Sequence, residues 1–401
     1  MNILLIWLVL AGPVWAVLAT YVVPRRYRER GLDVASVRPI SGLFGATLGP
    51  LGVGYLYWNT PTIRRRHILA SGLLLAVELW ALFRFVFPDN VCNTSPGYVA
   101  NQIQGGLVLG LVFGTMAVGL TLIYSVQGII SFAHGQFFML GGVLAFLLAT
   151  QIFEINGVFA VPIAGLAVLI VGALFERSML SPMHNGRIER AGEYAILVTF
   201  GFGLFLQFAL VGLLGSPTGL KAPRYTDRPL FGIDTAAFDL GPLRIRTDFW
   251  IAGIIGGALV LGLWWFLQRT WTGMSLRAVS QHRQASSIVG INSGRAFTLA
   301  FAIGSMLAGM AGAVLVPVLN FPVPPIAFQV AIRSYVIIVL GGLGSVIGAF
   351  LGGLFVGVAE ALGAGCFPDP TRAGSYQLVF PLLAFALILL VRPRGLFGRE
   401  R

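Results

Sequence analysis

Apolar residues run along this chain in long unbroken blocks. They do not alternate as in a half-buried strand, nor do they keep to one side as in a soluble helix. Crossing a hydrocarbon layer of about 30 Å takes ~20 helical residues. From residue 103 onward, blocks of that kind stand at 103–124, 132–150, 158–175, 194–214, 250–268, 295–318, 345–363 and 377–391, with a shorter one at 334–343. The short block runs into Gly341-Gly342-Leu343-Gly344 and reads as a broken or half-helix. A second interruption, SVQGIISFAHG, falls at 125–135. Irregular backbone at membrane depth is tolerated only where protein or a water-filled path lines it, so both breaks point to a translocation route.

The first 96 residues read separately. Block 3–23 is longer than a signal-peptide core and its positive charge follows it, so it is expected to be a retained anchor with the N-terminus outside. Block 40–58 has basic flanks and Gly49-Pro50 at its centre, and is expected to be a re-entrant or interfacial hairpin; 67–87 is expected to cross. The pattern thus predicts an all-α polytopic membrane protein in two parts. Residues 1–96 give two crossings and a hairpin, and 97–401 give a helical bundle with broken helices.

Composition agrees. The chain has 401 residues, 57% hydrophobic, with a mean hydropathy of +0.85. Charged residues make up 10%, against roughly 25% in a soluble domain. Its 52 glycines suit close helix packing in lipid. The longest polar stretch, about 215–249, is too short for an independent domain.

The net charge of +12 does not indicate nucleic acid, because of where it sits. Segments 24–39, 59–67, 176–193, 269–295 and 392–401 hold 19 of the 27 lysines and arginines, whereas the alternating loops hold 7 and Arg84 lies within a span. The positive-inside rule then places the C-terminus in the cytosol. Cys92 and Cys366 both fall outside, where a disulfide can form; two lone thiols is the simpler reading. The four histidines are scattered and no metal-ligand spacing occurs.

An enzyme is disfavoured. No GxSxG or nucleophile–base pattern stands out, and the single lysine, Lys221 in TGLKAP, cannot belong to a Walker A loop. Energy for transport must come from another polypeptide or an ion gradient. Residues 273–291, GMSLRAVSQHRQASSIVGI, lie between two apolar runs. As one helix they would place Leu276, Val279, Ile288 and Val289 on one side with Ala285 bridging, and Arg277, Gln281 and Gln284 toward the other. Such a segment serves either as a handle for a cytosolic partner or as an amphipathic helix on anionic lipid. Spacing alone does not separate the two.

Polar residues inside apolar runs are the other candidates. His134 and Gln136 either satisfy backbone around a break or line a path, the first being simpler. Gln207 is expected to bond a neighbouring helix. Glu360 is expected near the outer end of its span, ionised at the interface or paired with Arg372, in a mainly structural role. Phe132 and Phe138 could meet an apolar solute side chain.

Several stretches together resemble one family. GLTLIYSVQGIISFAHGQFFMLGG (119–142), the segment 273–312, VLGGLGSVIGAFLGGLFVGVAEAL (339–362) and VRPRGLFGR (391–399) are similar, in order and spacing, to ABC-importer permeases for branched-chain amino acids, the smaller of the two permease subunits. The resemblance covers about 97–401. It implies an importer-permease bundle paired with a second permease subunit. It also implies two cytosolic ATPase subunits that bind ATP and Mg, and an extracytoplasmic solute-binding protein. The site would be the plasma (inner) membrane of a bacterium; no cofactor is implied for this chain. Gly273, Arg277, Ala278, Gln281, Ala285, Gly290 and Ile291 fall in the ATPase-coupling stretch, and Phe132, His134, Gln136, Phe138, Gln207 and Glu360 become path candidates. The chain departs from the family at Gln281, His282 and Gln136, where relatives often carry acids.

The solute it implies is a branched-chain amino acid, with urea or short amides as the alternative. A proton- or sodium-driven transporter is disfavoured because deep ionisable residues are few. A non-transporting scaffold is weaker still. Because residues 1–96 lie outside the resemblance, their deletion is expected to leave transport largely intact. A well-expressed but inactive truncation would contradict this.

Overall fold

A computed structural model describes residues 88–184, 188–215, 219–227, 237–240, 243–367, 373–391 and 395–398. The chain divides into two compact units, Met1–Pro96 and Gly97–Arg401. Of the first unit only residues 88–96 are described, with a single helical turn at Val91–Thr94. The N-terminal crossings and the hairpin at 40–58 lie outside the described residues. Both cysteines, Cys92 and Cys366, are disulfide-bonded, which corrects the expectation of two lone thiols.

The second unit is built from helices. Apart from four-residue turns such as Ala373–Tyr376, in chain order they are α1 (Pro96–Gln127), α2 (His134–Leu147), α3 (Gly157–Phe175), α4 (Ala191–Leu214), α5 (Thr247–Arg269), α6 (Trp271–Gln281), α7 (Arg283–Ile288), α8 (Ser293–Leu315), α9 (Pro325–Gly341), α10 (Val346–Gly365) and α11 (Val379–Val391). Two π-helical turns, Leu148–Ile152 and Glu176–Leu180, prolong α2 and α3, and a short helix Ser181–His184 follows the second. Seven helices among the described residues are long and apolar enough to cross a membrane. The protein is an all-α polytopic membrane protein, as its hydrophobic pattern predicts.

Local chemistry sets the helix ends. Asn156 caps α3 by accepting from the Val158 N–H, and Asn292 caps α8 by accepting from Arg295. Ser345 does the same for α10 through Gly348. These caps satisfy amide donors that a helix start leaves without partners.

The predicted boundaries hold within a few residues except at 103–124, where α1 begins already at Pro96, and at 334–343. At 334–343 the helix starts at Pro325, so it is a longer rod than expected and carries Arg333 inside it. Arg333 is buried and so does not belong to an external loop. The polar stretch before α5 holds the one β element among the described residues. It is an antiparallel pair, β1 (Ala237–Leu240) and β2 (Leu243–Arg246), in register Ala237↔Arg246 to Leu240↔Leu243. Its Arg244 N–H donates to Asn101 Oδ1 at 3.0 Å, which ties it to α1. The loop before it returns to the bundle at Leu220, bridged to Phe321, and at Tyr225, whose hydroxyl donates to the Val314 carbonyl at 3.0 Å. Burial, with the Asp248 carboxylate nearby, pushes the Tyr225 phenol up, so it stays neutral.

α8 forms the centre, packed against α2 and α3. Aromatic contacts fill the space around it: Phe175 stacks on Phe202 with centroids 4.1 Å apart, and Phe137 meets Phe301 edge-on at 5.9 Å. The outward faces of α4 and α5 expose Leu197, Phe205, Phe208, Leu261 and Trp265, side chains suited to hydrocarbon. With lipid outside, helix association depends on close packing more than on withdrawing apolar surface from water. The α1–α10 pair shows how this is met. A Cβ added at Gly110 would lie 2.8 Å from the Gly353 carbonyl and from the Leu354 Cα, so the two backbones touch only because glycine is there. Gly110→Val is expected to destabilise the purified protein by about 1–3 kcal/mol or more in thermal unfolding. Gly262→Ala on α5, where a Cβ meets nothing within 4 Å, should leave the transition in place.

Candidate functional site

The break between α1 and α2 brings several of the predicted residues together. α1 ends where Gly128 takes φ +76, a conformation that favours glycine. The segment that follows is held by side chains from two other helices. The Phe132 N–H donates to Thr199 Oγ1 of α4 at 3.2 Å, and the Tyr335 hydroxyl of α9 donates to the Ser131 carbonyl at 3.2 Å. Gln127, the last residue of α1, donates from Nε2 to the Phe297 carbonyl of α8 at 2.8 Å.

His134 opens α2 and is fully buried. Its Nε2 lies 2.9 Å from the Met116 carbonyl, which can only accept, so Nε2 carries the proton and Nδ1 is the bare nitrogen. His134 thus stitches the start of α2 to the middle of α1. Gln136 is half-buried, and a Cβ at Gly203 of α4 would come within 3.1 Å of its carboxamide. Phe132 is partly exposed, with its ring 5.5 Å from that of Tyr335. Phe138 departs from expectation: it is fully buried and stacked on Phe321 at 5.7 Å, so it is a packing residue. Gln207 is half-buried on α4, and the expected bond to a neighbouring helix is not made among the described residues.

The stretch 273–291 is also corrected. It forms two helices in place of one. Thr270 caps α6 by accepting from the Gly273 N–H at 3.0 Å. At His282 the backbone turns extended (φ −154, ψ 99), and the imidazole Nδ1 accepts from the Ala285 N–H at 3.2 Å to start α7. The expected single stripe is therefore cut. Leu276 and Val279 are buried, but Ile288 and Val289 are 86% and 82% exposed. Arg277 does not face outward freely; its Nη1 donates to Gln268 Oε1 of α5 at 2.8 Å. Gly273 is buried against the end of α5, Ala278 is half-buried, and Gln281 and Ala285 are exposed. Gly290 takes φ +89 and lets the chain turn into α8, where the Ile291 N–H donates to the Ser286 carbonyl at 3.0 Å. The result is an elbow between two membrane helices with apolar side chains at its tip.

Residues 102–391 match the family described as the branched-chain amino acid transport system / permease component. The chain belongs to that family. It is 31% identical over 306 residues to the high-affinity branched-chain amino acid transport system permease protein BraD of Pseudomonas aeruginosa, covering 74% of this chain and 95% of the relative. It is 28% identical over 309 residues to the LivH permease protein of Escherichia coli K12, covering 75% and 96%. The ribose import permease protein RbsC of Escherichia coli K12 is 26% identical over 340 residues, covering 82% and 96%. No solved structure matches.

Within this permease, Glu360 has a partner that the sequence reading did not find. The carboxylate is 2% exposed on α10 and is gripped by Arg333 of α9. Arg333 Nε donates to both carboxylate oxygens at 3.0 and 2.9 Å, and Nη2 also donates to Oε1. The guanidinium also lies 5.3 Å from the Phe113 ring centroid of α1. Neither an interfacial position nor a pairing with Arg372 describes Glu360. Reading 325–341 as one helical run would have placed Arg333 deep in the bundle and called for an acid. Tyr335 and Thr199 carry no comparable sequence signal, because their role is fixed by distant backbone.

Buried pairs are costly to break singly. Arg333→Met, which strands the Glu360 carboxylate, is expected to cost about 3–5 kcal/mol, and the double change with Glu360→Leu to recover most of that. Thermal unfolding of the purified variants measures both.

Proposed function

We propose that the chain is a permease subunit of an ATP-driven importer of branched-chain amino acids in the bacterial inner membrane. Its C-terminus is cytosolic and its N-terminus outside, following the arginine distribution. A second permease subunit completes the path. An extracytoplasmic binding protein delivers the solute, and two cytosolic ATPase subunits bind ATP and Mg and dock on the α6–α7 elbow. The chain is the transport subunit and leaves hydrolysis to those partners.

The observation that carries this reading is the elbow, in a chain whose relatives are permeases. Two capped helices hold Ile288 and Val289 out beyond the membrane helices, while Leu276 and Val279 root the elbow on the bundle. Apolar side chains held in that way suit a protein groove. The amino-acid assignment rests on the names carried by BraD and LivH, and it is preferred to urea on that ground. The ribose name of a more distant relative is consistent with selectivity residing mainly in the delivery protein. For the path itself, Phe132 and Gln136 are the residues we favour. His134, Phe138 and Glu360 are better explained as the packing around it.

A photo-activated cross-linker at Val289 in the assembled membrane complex is expected to capture a nucleotide-hydrolysing protein. The same complex in proteoliposomes should take up leucine, and not urea, only with ATP. Adducts confined to lipid, or uptake that ignores ATP, would overturn the proposal.

A further inference from the structure

The first turns of α8 gather contacts from several segments that are far apart in the chain. Phe297 is buried there, and its ring stacks on the His184 imidazole with centroids 4.1 Å apart. The Arg283 guanidinium of α7 sits 4.6 Å from the same ring centroid. Arg283 Nη2 also donates to the His184 carbonyl at 3.0 Å. His184 Nε2 lies 3.6 Å from Glu176 Oε1, and the neighbouring Thr298 hydroxyl donates to Glu176 Oε2. The Phe297 carbonyl, as noted, accepts from Gln127 at the lip of the α1–α2 break.

Three features make this cluster more than packing. Glu176 is 2% exposed although it ends an apolar helix, and it is the first residue of the π turn Glu176–Leu180. A π turn is wider than the α-helix around it and often marks a functional position. Arg283 reaches out of the elbow to His184, whereas Ser286 and Ser287 bond within α7 itself. The contacts then divide: His184 and Glu176 lead to the π turn below α3, and Phe297 and Gln127 lead to the break that opens at Gly128.

We propose that Arg283, His184, Phe297 and the Glu176–Thr298 pair form the link that passes displacement of the elbow to two places at once, the π turn and the α1–α2 break. The stacked rings, the guanidinium over Phe297 and the Arg283–His184 hydrogen bond hold these groups in contact, so a shift of α7 carries His184 and Phe297 with it. These are positioning residues; they contact neither nucleotide nor solute. The inference rests on the proposed docking of an ATPase at the elbow, and goes beyond it by naming how the movement leaves the elbow.

The test uses the complete assembly in proteoliposomes. It records ATPase subunits retained, ATP hydrolysed and leucine taken up. Thr298→Val removes the hydroxyl from Glu176 at nearly constant volume, and Arg283→Ala removes the stacked guanidinium from an exposed short helix. Both are expected to retain the ATPase subunits and to hydrolyse ATP, with leucine carried per ATP lower by about 5-fold or more. Thr298→Ser, which restores the donor, is expected to return that ratio to the wild-type value. Should Thr298→Val fail to assemble, Arg283→Ala decides. An unchanged ratio in assembled variants overturns the link and leaves docking intact. Loss of the ATPase subunits from Arg283→Ala makes that residue a docking contact and also overturns the link. A wild-type chain that recruits no ATPase overturns the docking reading and the link together.

Discussion

A peptide group stranded in hydrocarbon has no water to bond, and this bundle is organised around that constraint. Where the chain stays helical the constraint meets itself. Where it breaks, at 128–133, partners must come from elsewhere. They come from Thr199 of α4 and Tyr335 of α9, while Gln127 at the edge ties α1 to the α8 backbone. The break is therefore also the point at which four helices are bound to one another. A local interruption has become a junction through which any relative movement of those helices must pass.

The same economy governs the charges. Arg333 and Glu360 satisfy each other within the bundle and join α9 to α10 beside α1. Such a pair adds little net stability compared with well-packed apolar residues, but breaking it singly is severe. It fixes the register of two helices that otherwise meet through small residues, where sliding would be cheap. The Glu176 cluster does comparable work at the other end, close to the elbow. One acid therefore sits with the α9–α10 pair and another beneath α3, and in each case the partner arrives from a different helix.

The elbow follows from geometry at one residue. His282 breaks the helix with extended backbone and immediately caps its successor. That turn rotates Ile288 and Val289 away from the side that buries Leu276 and Val279. A continuous helix would have buried all four on one face and left a polar surface outward. The observed bend leaves apolar side chains outward, and that changes the kind of partner the surface suits.

Much of the fold was legible in the chain. Crossing a membrane requires a long apolar run whatever the run packs against, so the helices, their approximate ends and the breaks at Gly128 and Gly342 can be read from residue order. Caps such as Asn156 and Ser345 act within three residues and are equally local. What the chain could not disclose is which residue answers which. Glu360 and Arg333 are 27 positions apart, Phe132 and Thr199 are 67, and Glu176 and Thr298 are 122. Buried polar groups are bound to find partners, so the need for one is visible in sequence. Which partner is chosen depends on how helices stack, and only the tertiary structure decides that.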